Sequence, residues 1–196
     1  MILSQPDLRV AVDRRDIVFD PALEESQWGE ASVDLRLGFS FTRLKDIQGM
    51  KVSVADGLAG VAAAGFWDTM ELDELNRLGK RETYSLEPGE FVLCLTHESV
   101  TVPRSLIARV EGRSTYARMG LSMHQTAPWI QPGWSGRIVL EIVNNGPLTL
   151  ELTPLLDRPC QLTFFRLTTE LPADLAYGQR DTDRYKDQRH PLKHDR

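Results

Sequence analysis

The sequence predicts a mainly β chain: an all-β sandwich or distorted barrel with a few short helices. Three observations carry that expectation. Residues 31–42, ASVDLRLGFSFT, set Val33, Leu35, Leu37, Phe39 and Phe41 in alternation with polar or small residues, the period of a strand with one buried face. From Glu87 onward the chain is a series of short β-rich runs: FVLCLTHESVTVP, SLIARVEG, GRIVLEIV, PLTLELTP and CQLTFFRLTT. Turn signals at Pro88-Gly89, Pro132-Gly133, Asn145-Gly146-Pro147 and Pro154 separate them, and such spacing favours a sandwich or barrel over an alternating α/β fold.

The remaining elements follow in chain order. Ser4 caps a short predicted helix through Leu8, Val10 and Val12, with Pro6 in its first turn and Asp7 facing the N-terminal dipole. Residues 50–65, rich in Ala, Gly and Val, read as loop or poorly defined strand. Thr69 is expected to cap a second helix with Leu72, Leu75 and Leu78 on one stripe and Gly79 ending it. The last strand is expected to end near Thr169, leaving residues 171–196 as a polar arm.

At 196 residues the chain is expected to form a single domain over 1–196, long enough to bury a core without staples. Cys94 and Cys160 belong to no CxxC pair, so neither a zinc site nor a disulfide framework is indicated. A reduced, cytoplasmic setting is the simplest reading. No signal peptide is visible, and no apolar run approaches the ~20 residues of a membrane span. The net charge of −5 combines an arm of +2 over residues 180–196 with a body of −7, which argues against a nucleic-acid binder. The arm could close over a small polyanion or stay a solvated terminus.

Residues 112–141, GRSTYARMGLSMHQTAPWIQPGWSGRIVLE, concentrate the chemistry. Arg113, Ser114 and Arg118 suit anionic oxygens, because guanidinium forks and hydroxyls match phosphate; the same turn could equally be a solvated surface turn. Glu141 is set among Ile138, Val139, Leu140, Ile142 and Val143. Such a carboxylate is either a general base in an apolar setting or an edge-strand glutamate that reaches water. The four histidines, at 97, 124, 190 and 194, have no ligand spacing, and the HxE…PCxxC pattern of zinc deaminases is absent. His124 therefore reads as a structural residue and no metal ligand is expected. Trp129 and Trp134, flanking Pro132-Gly133, serve either aromatic packing around a turn or base stacking.

With these motifs in view the chain resembles the dCTP deaminase and dUTPase family, most closely its dCTP deaminases, including forms that also hydrolyse the triphosphate. ASVDLRLG at 31–38, GRSTYARMGL at 112–121, HQTAPWIQPGWSGRIVLE at 124–141 and YGQRDTDRYKDQR at 177–189 match its motifs in order. The resemblance implies a distorted β-barrel or jelly-roll of the dUTPase-like type, a homotrimer with active sites between subunits, and an arm that closes over nucleotide. It implies Glu141 as the catalytic glutamate that shuttles protons. Ser114 and the Ala127 carbonyl would hold the water, and Arg118 would favour developing charge. Arg113, Ser114, Thr115, Tyr116, Ala117 and Arg118 match the triphosphate segment. Val139 and Leu140 match the backbone of the cytosine pocket, and Tyr177, Arg184 and Gln188 match arm residues that touch nucleotide. The implied reaction is zinc-independent hydrolysis of dCTP to dUTP and ammonia, with Mg2+ carried on the triphosphate and no nucleic acid or membrane as partner. Gln131 stands where the family usually has aspartate. That substitution leaves a dUTPase, a bifunctional deaminase/diphosphatase, or a catalytically altered nucleotide-binding trimer as alternatives.

Overall fold

The computed structural model describes residues 1–45, 49, 51, 53–56, 65, 67–181, 183, 185, 187 and 191. Strands dominate. The first helix forms as expected: α1, Gln5–Asp13, follows Ser4, whose hydroxyl donates to Asp7 Oδ2 at 2.7 Å. It buries Leu8 against the core.

Three sheets follow. The largest has the order β4 (Trp67–Glu71), β3 (Leu37–Leu44), β6 (Phe91–Thr101), β10 (Ser135–Asn144), β8 (Leu121–Ser122), with β1 (Val18–Asp20) also on β6. A second joins β2 (Val33–Leu35), β12 (Cys160–Arg166), β7 (Leu106–Gly112) and β9 (Trp129–Ile130). The third pairs β5 (Tyr84–Leu86) with β11 (Leu150–Leu152). Inward side chains from all three share one buried cluster, with Phe41, Phe164, Leu140 and Ile142 among the largest members. Both cysteines are buried there as free thiols, and burial pushes each well above the usual thiol range. No helix among the described residues is long and apolar enough to cross a membrane.

Four sequence expectations change. Among the described residues the sheets do not close into a barrel. The alternating run at 31–42 is two strands, not one. It breaks at Arg36, and its halves enter different sheets. Beyond the break the register on β6 shifts between Leu37 and Phe41, so Phe39 is only half-buried, with its ring edge-on to His97 at 6.4 Å. The helix expected after Thr69 does not form. Residues 67–71 are instead an antiparallel edge strand on β3, where the Thr69 and Thr42 hydroxyls meet at 2.9 Å. Leu72 is buried, but Leu75 and Leu78 are exposed, and the Asn76 side chain accepts from the Leu78 and Lys80 amides to make a polar turn. The ladder to β3 outweighs a weak helical stripe. Finally, the last strand ends at Arg166, short of Thr169. Of residues 50–65, only 51, 53–56 and 65 are described, with a 3-10 turn at Val54–Asp56.

Candidate functional site

β10 is the strand that builds the site. It runs between β6 and β8, so Glu141 does not lie on a sheet edge. The alternation is as the sequence indicates: Ile138, Leu140 and Ile142 enter the core, while Val139, Glu141 and Val143 occupy the opposite, half-buried face. A register shift between Arg137 and Val139 marks a bulge, and the Thr96 hydroxyl accepts the Ile138 amide there at 3.0 Å. Bulges of this kind re-aim the side chains beside them.

Glu141 is held by its neighbours. Its Oε2 accepts the Gln125 amide at 2.9 Å, its own amide donates to the Met123 carbonyl at 3.1 Å, and its carbonyl accepts Gln125 Nε2 at 3.3 Å. Oε1 is left without a partner among the described residues. An anchored carboxylate with one open oxygen is the geometry a proton acceptor requires.

A cavity of about 720 Å³ opens on this face, within the ordinary range for small-molecule sites. Glu141, Val139, Leu140, Ala127, Gln131 and Tyr177, all singled out by sequence, line it. So do His124, Trp129 and Trp134. Sequence reasoning missed Leu93, Val110, Ile130 and Tyr185. Leu93 could have been found from register alone, since it stands directly opposite Glu141 on β6. The polar groups are sparse. His124 Nε2 faces Glu111 Oε2 at 3.4 Å, and its buried Nδ1 has no hydrogen-bond partner. Among the described residues no cluster of three or more His, Cys, Asp or Glu side chains could hold a metal ion.

The arm packs onto this wall. Tyr177 donates its amide to the Pro132 carbonyl at 2.9 Å and sets its ring 5.3 Å from that of Trp134. Trp134 is buried, so its role includes aromatic packing at the turn. The Tyr177 hydroxyl accepts the Tyr185 amide at 3.1 Å, and the Asp187 amide donates to the Ser135 carbonyl at 2.7 Å. Asp183 caps the bend between them, accepting amides from Gly178 and Arg180. Burial raises its carboxyl, but those amides outweigh it and hold the group below the usual range. Arg184 and Gln188, the other arm residues of the sequence reading, lie outside the described residues.

Gly133 sets how closely the arm can sit. It has φ +87°, and a Cβ there would stand 2.8 Å from Ala176 Cβ and 3.1 Å from the Tyr177 amide. Gly133→Ala is expected to push residues 176–177 off the turn, at a cost of about 1–3 kcal/mol in strain and lost contact. Limited trypsin digestion checks it, with cleavage at Arg180 accelerated in the variant.

The arginine-serine turn lies elsewhere in the chain. α2, Ser114–Ala117, is a single turn entered from Arg113 and ended at Arg118. Ser114, Thr115, Ala117 and Arg118 are exposed, while Arg113 and Tyr116 are half-buried. None of residues 113–118 lines the cavity that holds Glu141.

Against this geometry, the model of the dCTP deaminase-like family matches residues 2–167. A Methanobrevibacter smithii protein named a dUMP-forming dCTP deaminase is 40% identical over 177 residues, covering 90% of this chain and 85% of the relative. A Rhodospirillum rubrum dCTP deaminase is 40% identical over 192 residues, covering 98% of this chain and 95% of the relative. Among solved structures, a 2′-deoxycytidine 5′-triphosphate deaminase from Agrobacterium tumefaciens superposes with a TM-score of 0.61 at 22% identity, over 83% of this chain. The chain spans about half, 48%, of that solved chain, and the likeness speaks to the fold.

Proposed function

The chain belongs to the dCTP deaminase-like family, and from that membership we infer that it is a hydrolytic nucleotide deaminase acting on dCTP, in the supply of dTTP precursors. The observation that carries the mechanism is Glu141: one carboxylate oxygen pinned by the Gln125 amide, the other open, on the wall of a largely apolar cavity.

In this reading water attacks C4 of cytosine. Glu141 Oε1 accepts a proton from that water and delivers one to N3, so that C4 becomes electrophilic as the C4–O bond forms. The amino nitrogen then takes a proton and leaves as ammonia, giving dUTP. The Ala127 carbonyl and the Ser114 hydroxyl hold the water in line, and Arg118 stabilises charge that develops on it. Val139 and Leu140 present backbone groups to the base. Tyr177, Arg184 and Gln188 close the arm over the nucleotide. No zinc takes part: His124 is occupied with Glu111, and the proton chemistry is assigned to Glu141. Magnesium arrives as part of the substrate, on the triphosphate oxygens, since among the described residues no acidic cluster offers it a cage.

The site is proposed to be completed by a second copy in a cytoplasmic homotrimer with a dUTPase-like subunit. Support comes from the separation within one chain of the exposed 113–118 turn from the cavity that needs an anion clamp. The acidic body supports a nucleotide, not a nucleic acid, as partner. The test is product analysis with dCTP, dUTP and magnesium, on protein whose mass in solution is measured. Ammonia with dUTP from a trimer supports the reading; tight nucleotide binding without product would indicate a binding protein that has lost its chemistry.

A second reading, deamination with hydrolysis to dUMP, is favoured by the dUMP-forming relative. Gln131 opposes it. Its carboxamide lines the cavity and can accept a hydrogen bond from the sugar 3′-hydroxyl, but it cannot take a proton from a second water. Gln131→Asp is expected to keep deamination within about threefold and to raise pyrophosphate release from dUTP by tenfold or more, roughly 1.4 kcal/mol of barrier. Assaying dUTP cleavage in both proteins decides whether position 131 limits this activity.

A further inference from the structure

The 113–118 turn rests on a support that the proposed chemistry does not use. Arg113 Nη1 lies 3.1 Å from Asp34 Oδ2 and donates to the Arg158 carbonyl at 2.9 Å. Nε and Nη2 have no partner among the described residues. One amino group of the fork is therefore committed inward, and the other edge remains available for a pair of anionic oxygens.

Asp34 is unusually well fixed for a side chain on a short strand. Its side chain is only 15% exposed. Its carbonyl accepts Gln27 Nε2 at 2.8 Å, and the same nitrogen donates to the fully buried Glu98 at 2.9 Å. Across the ladder Asp34 stands opposite Gln161, whose Nε2 donates to the Gly112 carbonyl, next to Arg113. Burial raises the Asp34 carboxyl, and Arg113 and then Arg158 pull it back down. A half-buried carboxylate carries a desolvation cost. The pair is not needed to hold the sheet, because backbone ladders already join β2 to β12 and β12 to β7.

We propose that Asp34 is a positioning residue for Arg113, holding one guanidinium amino group so that the Nε–Nη2 edge meets the triphosphate of the substrate. This rests on the reading that the 113–118 turn binds that triphosphate. Asp34→Asn keeps the shape and an acceptor but removes the charge. It is tested alone and in an Arg113→Ala background, with kcat and KM for dCTP, affinities for dCTP and for deoxycytidine, and the thermal midpoint.

Asp34→Asn is expected to raise the KM and weaken dCTP binding about tenfold, with kcat within roughly threefold. Deoxycytidine binding stays unchanged, and no further loss appears when Arg113 is already alanine. Asp34→Glu, which keeps the charge, recovers part of the affinity. The proposal is overturned if dCTP affinity stays within about twofold of the parent, if deoxycytidine weakens equally, or if the Asn change adds its full penalty to Arg113→Ala. An unfolded Asn variant with a folded, wild-type-like Asp34→Ala would also overturn it. If the parent enzyme turns over no dCTP, the proposed function fails, while the contrast between dCTP and deoxycytidine binding still decides the role of Asp34.

Discussion

Glu141→Gln lowers dCTP turnover by about 10²–10⁴-fold, the span of general acid–base catalysis, while dCTP affinity changes by no more than a few-fold. The expectation follows from how the carboxylate is held. Oε2 accepts the Gln125 amide, and a carboxamide oxygen can accept that same amide without moving the strand. The amide NH2 must then occupy the position of Oε1, facing the cavity. That position becomes a donor, unable to take a proton from water. Shape, volume and the contacts of Val139 and Leu140 persist, so binding persists. Ammonia release and dCTP affinity measured on one preparation separate the two effects. Full activity in the variant would remove Glu141 from the mechanism and with it the central assignment. Loss of binding in proportion to turnover would make the residue a substrate ligand instead.

How much of this was legible beforehand depends on whether a residue's role is local. The alternation around Glu141 is a property of one strand, and the sequence carries it directly: Ile138, Leu140 and Ile142 are buried as their spacing indicates. What hid was anything decided between strands. Leu93 reaches the cavity only through its register with Glu141, and Asp34 matters only because β2 and the turn after β7 converge. In the sequence Asp34 is one more polar residue on the outward face of an alternating run. The same logic explains the two misread elements. Thr69 has the chemistry of a helix cap, but a neighbouring strand offered it a ladder. The run through Arg36 keeps its period of two, yet crosses from one sheet to another because the arginine is drawn to a buried acid. Propensity is a weak prior where tertiary pairing competes. The anion-binding turn was legible as a motif; its distance from Glu141 within one chain was not, since motif order says nothing about which surfaces meet.

Arg36→Met is expected to be the most destabilising of these substitutions. Glu98 is fully buried, and its carboxylate takes the Arg36 amide at 2.9 Å, Arg36 Nε at 2.6 Å and Gln27 Nε2 at 2.9 Å. The arginine also reaches Glu24 at 2.6 Å, so the one guanidinium ties the 3-10 turn Glu25–Gln27 to the core acid. Methionine preserves the stem and removes the only basic group paired with Glu98 among the described residues. An uncompensated buried charge costs about 3–5 kcal/mol, a large share of the roughly 5–15 kcal/mol that holds a domain. For a chain of this length the thermal midpoint should fall by roughly 6–20 °C. The double variant Arg36→Met with Glu98→Gln removes both charges together and should recover much of that loss, because the cost lies in the orphaned carboxylate and not in a missing attraction. The same lesion reaches the site: Gln27 links Glu98 to the Asp34 carbonyl, so loosening this acid loosens the strand that carries the support of Arg113. Measured well below its midpoint, the single variant should therefore show a raised KM for dCTP with kcat nearly unchanged. A midpoint within 2 °C of the parent, or a double variant no more stable than the single one, would mean that the arginine does not neutralise Glu98 in the way its geometry indicates.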